Sequence, residues 1–351
     1  MEKIIIGKKL FGKINTLLDF SRFSKIAVLT DKNIQMSLIS QISQIKKSLN
    51  RELVIITIPA GENEKNIETV KKIWEKMFES GLDRRSLLIN LGGGVICDIG
   101  GFSASTFMRG INFINIPTTL LSQVDASIGG KTGIDFMNKK NGIGVFNNPL
   151  GVVVDVDTLR TLPKRELIAA FGEIIKHGVI SGREHFDLVT SKKPLEFNQQ
   201  ELTQIIKQSI KIKSSIVKKD PKEVDLRKVL NFGHTIGHAI ESLSWTNKPL
   251  LHGEAVAIGI IAESNLACLR NPKHNRRGCT SELIKKVVAN AGLPTKIKNI
   301  KPKDVVRLIL SDKKKLSGKI NWSLPKRIGK VLVNIEAADD LIIKAIESVI
   351  I

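Results

Sequence analysis

The stretch LNFGHTIGHAIE, at 230–241, places His234 and His238 four positions apart in a segment that reads as a helix. Four residues is close to one helical turn, so both imidazoles leave the same face. A metal pair, a catalytic pair and two polar groups on a solvated face all satisfy that spacing. The metalloprotease pattern requires Glu directly after the first His, and Thr235 stands there. Any partners must therefore come from elsewhere in the chain. In AAFGEIIKHGVIS, Glu173, Lys176 and His177 share one helical face. Glu173 sits in an otherwise apolar run, where a buried carboxylate needs a partner. His252, in LLHGEAVAIG, opens another helix. One carboxylate and two imidazoles are a ligand set for catalytic zinc that leaves a position for substrate. Spacing alone leaves the choice open: Glu173 with two of His234, His238 and His252, or any of them with His177.

A second group of residues could bind phosphate. GGGVICDIGG, at 92–101, follows the apolar run SLLINL. Glycines between a strand and a helix let a phosphate approach backbone N–H groups at the helix N-terminus. The spacing departs from GxGxxG, so a tight turn is the competing reading. Asp31 ends another apolar run, where a carboxylate can accept ribose hydroxyls or cap the next helix. FMRG, IPTTLLSQVDASIGGKTGID and KKNGIGVF form a dense polar and glycine-rich region that offers Arg109, Asp125, Lys131, Lys140 and Asn141. Singly, each reads as a surface charge. Together, among so many glycines, they favour an anion site.

The elements that must position these groups fall into two kinds. KIAVLT at 25–30, ELVIITI at 52–58, SLLINL at 86–91, INFINI at 111–116 and GVVVDV at 151–156 are short, apolar on both faces and rich in β-branched residues. That pattern suits parallel strands covered by helices. NIETVKKIWEKMFESG, at 66–81, reads as a helix between two of them, with Gly81 as its stop. The alternation predicts an α/β fold class, with a Rossmann-like, doubly wound parallel sheet at 1–156. From about Leu162 the periodicity turns helical, which predicts a mostly helical domain at 157–351 with a short hairpin near 319–333.

Composition narrows the function classes. The chain has 351 residues, 42% hydrophobic and 25% charged, as expected of a soluble two-domain protein. There is no Tyr, so stacking platforms for single-stranded nucleic acid are not expected. The net charge of +21 is scattered over lysines with no nucleic-acid motif beside it. Attraction of small anions is the reading it supports. Cys97, Cys268 and Cys279 form no CxxC pair, the usage of a reducing cytoplasm. No signal peptide is expected at the N-terminus, and no run of about 18 apolar residues suggests a membrane span.

Taken in order, GGGVICDIGGFSASTFMRG, IPTTLLSQVDASIGGKTGID, GEIIKHG, LNFGHTIGHAIE, LHGEAVAIG and the DKK at 312–314 resemble the 3-dehydroquinate synthase family of the shikimate pathway. The resemblance runs from Asp31 to Lys314. It implies an NAD-binding α/β domain and a helical metal-binding domain, a homodimer, and the broad fold group of glycerol and iron-containing alcohol dehydrogenases. It implies Glu173, His234 and His252 as metal ligands, zinc first and cobalt as a substitute, with His238 beside the substrate phosphate instead. The implied substrate is 3-deoxy-D-arabino-heptulosonate 7-phosphate. Lys131, Asn141, Asn231, His238 and Lys313 (or Lys314, by register) would hold its phosphate, with Arg109 reaching in from a partner subunit. Lys213 and Arg227 would hold the carboxylate, and Asp125 and Lys176 would stand near the reacting hydroxyls. For NAD the resemblance implies Asp31, Asn33, Glu62 and Lys65. It adds the turn of Gly94, Val95, Ile96, Cys97 and Asp98, then Thr118, Thr119, Lys131 and Lys140. Thr158, Leu159, Arg160 and Thr161 complete that set.

Two positions depart from the family pattern. Cys97 stands where the family usually has Gly, and Asp225 replaces a glycine often found before Leu226–Arg227. Another sugar phosphate cyclase, or a polyol dehydrogenase on the same scaffold, is the alternative reading. A nucleic-acid-binding protein rests on net charge alone.

Overall fold

The structure, a computed structural model, describes residues 3–137, 139–244, 249–271, 280–313 (the side chains of 311–313 excepted) and 320–351. It divides into two compact units, Met1–Pro163 and Lys164–Ile351.

The first unit is built on a six-stranded sheet. Its strands are β1 (Lys3–Gly7), β2 (Ile26–Asp31), β3 (Val54–Ile58), β4 (Leu87–Gly92), β5 (Asn112–Pro117) and β8 (Gly151–Asp155). Their order is β1-β8-β5-β4-β2-β3, and every pairing is parallel. Five of the six are the strands expected from the sequence. The sixth, β1, pairs with β8 at the sheet edge; its apolar run is only three residues long, too short for the pattern to reveal.

Successive residues of the strands feed opposite cores, as the period of two requires. Val28, Ile89 and Ile114 pack on one face with Phe11, Ile14 and Ile45. Ala27, Leu29, Leu88 and Phe113 pack on the other with Val70, Ile73 and Met77. These last three lie on the helix Ile67–Glu79, whose N-cap Asn66 accepts the Thr69 N–H at 2.9 Å. Gly81, at φ +66°, ends that turn as expected.

The polar and glycine-rich region takes a form the sequence reading did not specify. Lys131–Phe136 (β6) and Lys139–Phe146 (β7) make an antiparallel hairpin. Gly133 faces Gly144 across it. A Cβ on Gly133 would stand 2.6 Å from the Ile143 carbonyl oxygen, so close backbone approach is what these glycines serve.

The second unit is mostly helical. His252–Arg270 is its centre, buried almost all round and packed by Lys164–Ser181, His234–Ser244, Thr280–Asn290 and Asp339–Glu347. Trp322–Arg327 (β9) and Lys330–Ile335 (β10) form the expected hairpin. No helix among the described residues is long and apolar enough to cross a membrane. Cys97 is a buried free cysteine, whereas Cys268 is disulfide-bonded, which runs against the fully reduced usage suggested by cysteine spacing.

Candidate active site

In the first unit, the strand order reverses between β2 and β4, and a crevice at such a point is where open α/β sheets bind ligands. Asp31 ends β2, and Gly92 ends β4. Gly93 then caps the 13-residue helix Gly94–Thr106, whose first turns carry Val95, Ile96, Cys97 and Asp98. A Cβ on Gly93 would lie 3.1 Å from Thr119 Cγ2. The Thr118 N–H donates to the Gly92 carbonyl oxygen at 2.9 Å, so the β4 and β5 ends are tied together. Cys97 is accommodated as a small apolar residue. Burial raises its thiol pKa, which keeps it protonated and inert.

Asp31 behaves as a helix cap here: Oδ1 accepts the N–H groups of Asn33 at 2.9 Å and Ile34 at 3.0 Å. Thr158 is similarly committed, donating to the Asp155 carbonyl oxygen at 2.8 Å and accepting Gln123 Nε2 at 3.0 Å. Leu159 is buried beside it, Arg160 pairs with Asp157 at the surface, and Thr161 donates to the Thr158 carbonyl oxygen.

The hairpin meets Lys65, whose carbonyl oxygen accepts the Asp135 N–H at 2.8 Å. Its ammonium is buried, ion-pairs with Asp98 and donates to Asn141 Oδ1 at 2.6 Å. Burial works against its charge, but Asp98 and then Glu62 outweigh that and raise its pKa. Lys140 pairs with Glu62 at 3.4 Å, and Asp135 accepts the Asn141 N–H at 2.7 Å. Lys131 is exposed at the hairpin's start. Asp125 lies in the π-type turn Ser122–Ala126. Arg109 is exposed on a turn where it and Met108 both take positive φ, +73° and +51°.

In the second unit, Glu173 is fully buried on Lys164–Ser181, with Lys176 one turn away at 2% exposure and ion-paired to it. Glu173 Oε1 stands 3.2 Å from His234 Nε2 and 3.4 Å from His252 Nε2. Two imidazole nitrogens thus converge on one oxygen of a buried carboxylate whose other oxygen is ion-paired with Lys176. The far nitrogens are held as well: His252 Nδ1 lies 3.1 Å from Glu241 Oε2, and His234 Nδ1 lies 3.3 Å from the Phe232 carbonyl oxygen. A carboxylate or carbonyl behind each imidazole is the usual support of a metal-binding histidine, so this donor set fits a divalent cation. His238 is more exposed, and the nitrogens of His234, His238 and His252 lie within 4.8 Å of one another.

The charges here are tightly coupled. Burial opposes ionisation of Glu173, but Lys176 and then His234 hold its carboxyl well below the usual range. Burial likewise opposes protonation of His252, yet Glu173 and Glu241 raise it to about 10. Burial and Lys176 lower His234.

The remaining expected residues sit on adjoining elements. Lys213 is buried on Gln199–Lys219, against which the turn Leu226–Asn231 packs with Arg227 buried. Asp220 accepts the N–H groups of Val224, Asp225 and Arg227, which shapes that turn. Asp225 has φ −145°, so no glycine is needed at that position. Asn231 donates to Glu223 Oε1 at 2.6 Å. Lys313 ends the helix Pro302–Lys313, but its side chain and Lys314 lie outside the described residues.

The 3-dehydroquinate synthase N-terminal family model matches residues 55–169, and the C-terminal model of the same family matches 170–315. The 3-dehydroquinate synthase of Alkaliphilus metalliredigens is 44% identical over 93% of this chain and 90% of its own length. The chain belongs to the 3-dehydroquinate synthase family. A solved 2-epi-5-epi-valiolone synthase from Streptomyces hygroscopicus, with NAD+ and Zn2+ bound, is 25% identical and superimposes with a TM-score of 0.88 over 99% of this chain and 96% of its own. A solved 2-deoxy-scyllo-inosose synthase, complexed with carbaglucose-6-phosphate, NAD+ and Co2+, shares the fold at 22% identity and TM-score 0.87, covering 98% and 95%.

The family resemblance pointed to Glu173, His234 and His252, but four carboxylates around the site escaped the sequence reading. Asp220, Glu223, Glu241 and Glu263 contact the backbone or side chains of its residues. For Glu241 and Glu263 a signal existed: like Glu173, each is one carboxylate in an otherwise apolar helical run.

Proposed function

We propose that the chain is a lyase that converts 3-deoxy-D-arabino-heptulosonate 7-phosphate to 3-dehydroquinate and phosphate, a step of the shikimate pathway leading to chorismate and the aromatic amino acids. The observation that carries this reading is the buried Glu173–His234–His252 cluster in a chain of this family, with Lys213 and Arg227 buried on neighbouring elements. When bound, NAD supplies a reversible hydride acceptor, and the divalent cation (zinc, or cobalt in its place) acidifies the substrate hydroxyl.

Glu173, His234 and His252 would hold the cation. Lys176, pinned by Glu173, presents a charged donor toward the substrate hydroxyls, a task shared with Asp125. To the substrate carboxylate we assign Lys213 and Arg227. To its phosphate we assign Lys131, Asn141, Asn231, His238 and Lys313. His238 would move the proton released as phosphate leaves, with the phosphate, held in position by the site, serving as base. Hydride removal and return cancel, so no net redox change accompanies turnover. To NAD we assign the Gly94–Asp98 turn, Asp31, Asn33, Glu62, Lys65, Thr118, Thr119, Lys131, Lys140 and the Thr158–Thr161 segment. Asp31 can serve the ribose through Oδ2 while Oδ1 caps its helix. A cyclase acting on substrates without a carboxylate gains nothing from two buried cations at Lys213 and Arg227, which favours the carboxylate substrate.

The test is phosphate release from the heptulosonate phosphate with catalytic NAD. Release should stop on chelation and return with zinc, with no net NADH. Accumulating NADH with a polyol, or no phosphate at all, would replace this reading with the dehydrogenase or another cyclase.

We further assign a homodimer. The β6–β7 hairpin exposes Phe136, Met137, Ile143, Val145 and Phe146, with Met137 at 80% and Phe146 at 59%. An apolar two-stranded ribbon left open in this way is a pairing surface. Phe146→Asp should shift the sedimentation coefficient to that of a monomer; an unchanged dimer would move the interface elsewhere. NAD and sugar phosphates are cytoplasmic metabolites, and we place the protein there.

Glu241 contributes through His252. Glu241→Gln is expected to weaken zinc binding by about 10- to 100-fold, the range for partners of ligating histidines, in competition with a chelating dye. Wild-type affinity would show that His252 needs no support from it.

A further inference from the structure

The helix His234–Ser244 carries both histidines of the opening motif, yet its own N-terminus supplies no capping side chain. The residue before it is Gly233, at φ +84°. The first N–H groups of a helix have no partner inside it. Here they find one thirty residues later, on another helix. Glu263, fully buried on His252–Arg270, accepts the Gly233 N–H through Oε2 at 2.6 Å and the Ile236 N–H through Oε1 at 3.1 Å. The Thr235 N–H also bonds to it. Both oxygens therefore accept main-chain N–H groups. Burial pushes its pKa up, to about 8, and these N–H groups pull against that.

The approach of the two helices is fixed by glycines. A Cβ on Gly237 would stand 3.1 Å from the Ala255 carbonyl oxygen, and one on Gly259 would run into the Gly233 carbonyl oxygen. With the helices this close, a carboxylate from one reaches the first turn of the other. The turn it grips contains His234 and sits one turn before His238, with Asn231 just upstream.

We propose that Glu263 is a positioning residue: by capping the His234–Ser244 helix from the neighbouring helix, it sets the direction of the His234 and His238 imidazoles. The inference rests on the reading of His234 as a metal ligand. Removing the cap leaves three buried N–H groups without their acceptor and loosens the first turn, where His234 is attached. Gln is the informative replacement, because its NH2 would face an N–H donor at one of the two positions while its volume is kept.

The experiment uses the full chain, wild type and Glu263→Gln, with zinc affinity read by chelator competition and the visible spectrum of the cobalt-loaded protein as a report of ligand geometry. Zinc affinity should fall by about tenfold or more, as for other residues that orient ligating histidines, and the cobalt bands should shift. Wild-type affinity and an unchanged cobalt spectrum in the variant, even with a lowered melting temperature, would make Glu263 a structural residue only and overturn the proposal. A wild-type chain that binds no zinc would overturn the metal reading itself. If the variant does not fold, amide exchange in the metal-free wild-type protein decides. Slow exchange at Gly233 and Ile236 supports a turn held by Glu263, and fast exchange there overturns it.

Discussion

Glu173→Gln should abolish zinc binding at micromolar metal and remove turnover with it. Glu173 offers a charged oxygen to the point where His234 Nε2 and His252 Nε2 converge, at 3.2 and 3.4 Å. A neutral amide is a poorer ligand than a carboxylate for a doubly charged ion. The same change strikes at stability. Lys176 is 2% exposed and ion-paired with Glu173, and removing one partner of a buried pair costs about 3–5 kcal/mol because the other charge is left uncompensated. The two effects separate in the double variant Glu173→Gln/Lys176→Met. It should recover most of the stability, because the Lys176 ammonium is no longer left without its partner, and none of the metal affinity. Denaturation midpoints and chelator competition on the two variants give both numbers. Zinc affinity within a few fold of wild type in Glu173→Gln would remove Glu173 from the ligand set, and the three histidines would become the candidate site in its place.

What the sequence made legible follows from how local each signal is. Strands β2, β4, β5 and β8 are buried on both faces, and β3 at the sheet edge is as apolar although partly exposed, so each is a continuous apolar run that pattern alone detects. The helix at Ile67–Glu79 shows both its apolar stripe and its cap. The hairpin β6–β7 shows neither: glycines and lysines interrupt its apolar residues, and β7 is exposed along nearly its whole length, so no alternation of buried and exposed positions marks it. Residue types showed that Glu173 needed partners, but spacing could not choose among four histidines. The ordered family motifs narrowed that choice by resemblance, and His234 and His252 both stand near Glu173 Oε1 in the structure. Glu241 and Glu263 act across helices on residues 11 and 30 positions away. Contacts of that range are written in the packing of helices, which no local window contains.

That packing leads to the second large effect, at Gly253. A Cβ there would collide with the Ala169 carbonyl oxygen, and one on Gly172 would collide with the carbonyl oxygen of Gly253. The helices Lys164–Ser181 and His252–Arg270 therefore touch backbone to backbone, one residue away from both Glu173 and His252. No rotamer change can make room, because the obstructing atom belongs to the main chain. Gly253→Ala must push the helix axes apart, and overpacking of this kind costs about 1–3 kcal/mol. The displacement would also open the 3.4 Å separation between His252 Nε2 and Glu173 Oε1. Metal affinity should then fall by about an order of magnitude, as when ligand orientation is otherwise disturbed. Gly12→Ala is the control, since a Cβ there meets nothing nearer than Gln44 Oε1 at 3.8 Å; it should change neither stability nor zinc binding. Gly253→Ala with wild-type stability would mean that the crossing is looser than its backbone contacts require. Lost stability with wild-type zinc affinity would mean that the ligands re-form around a wider crossing, and the helix spacing would then have no part in setting the metal geometry.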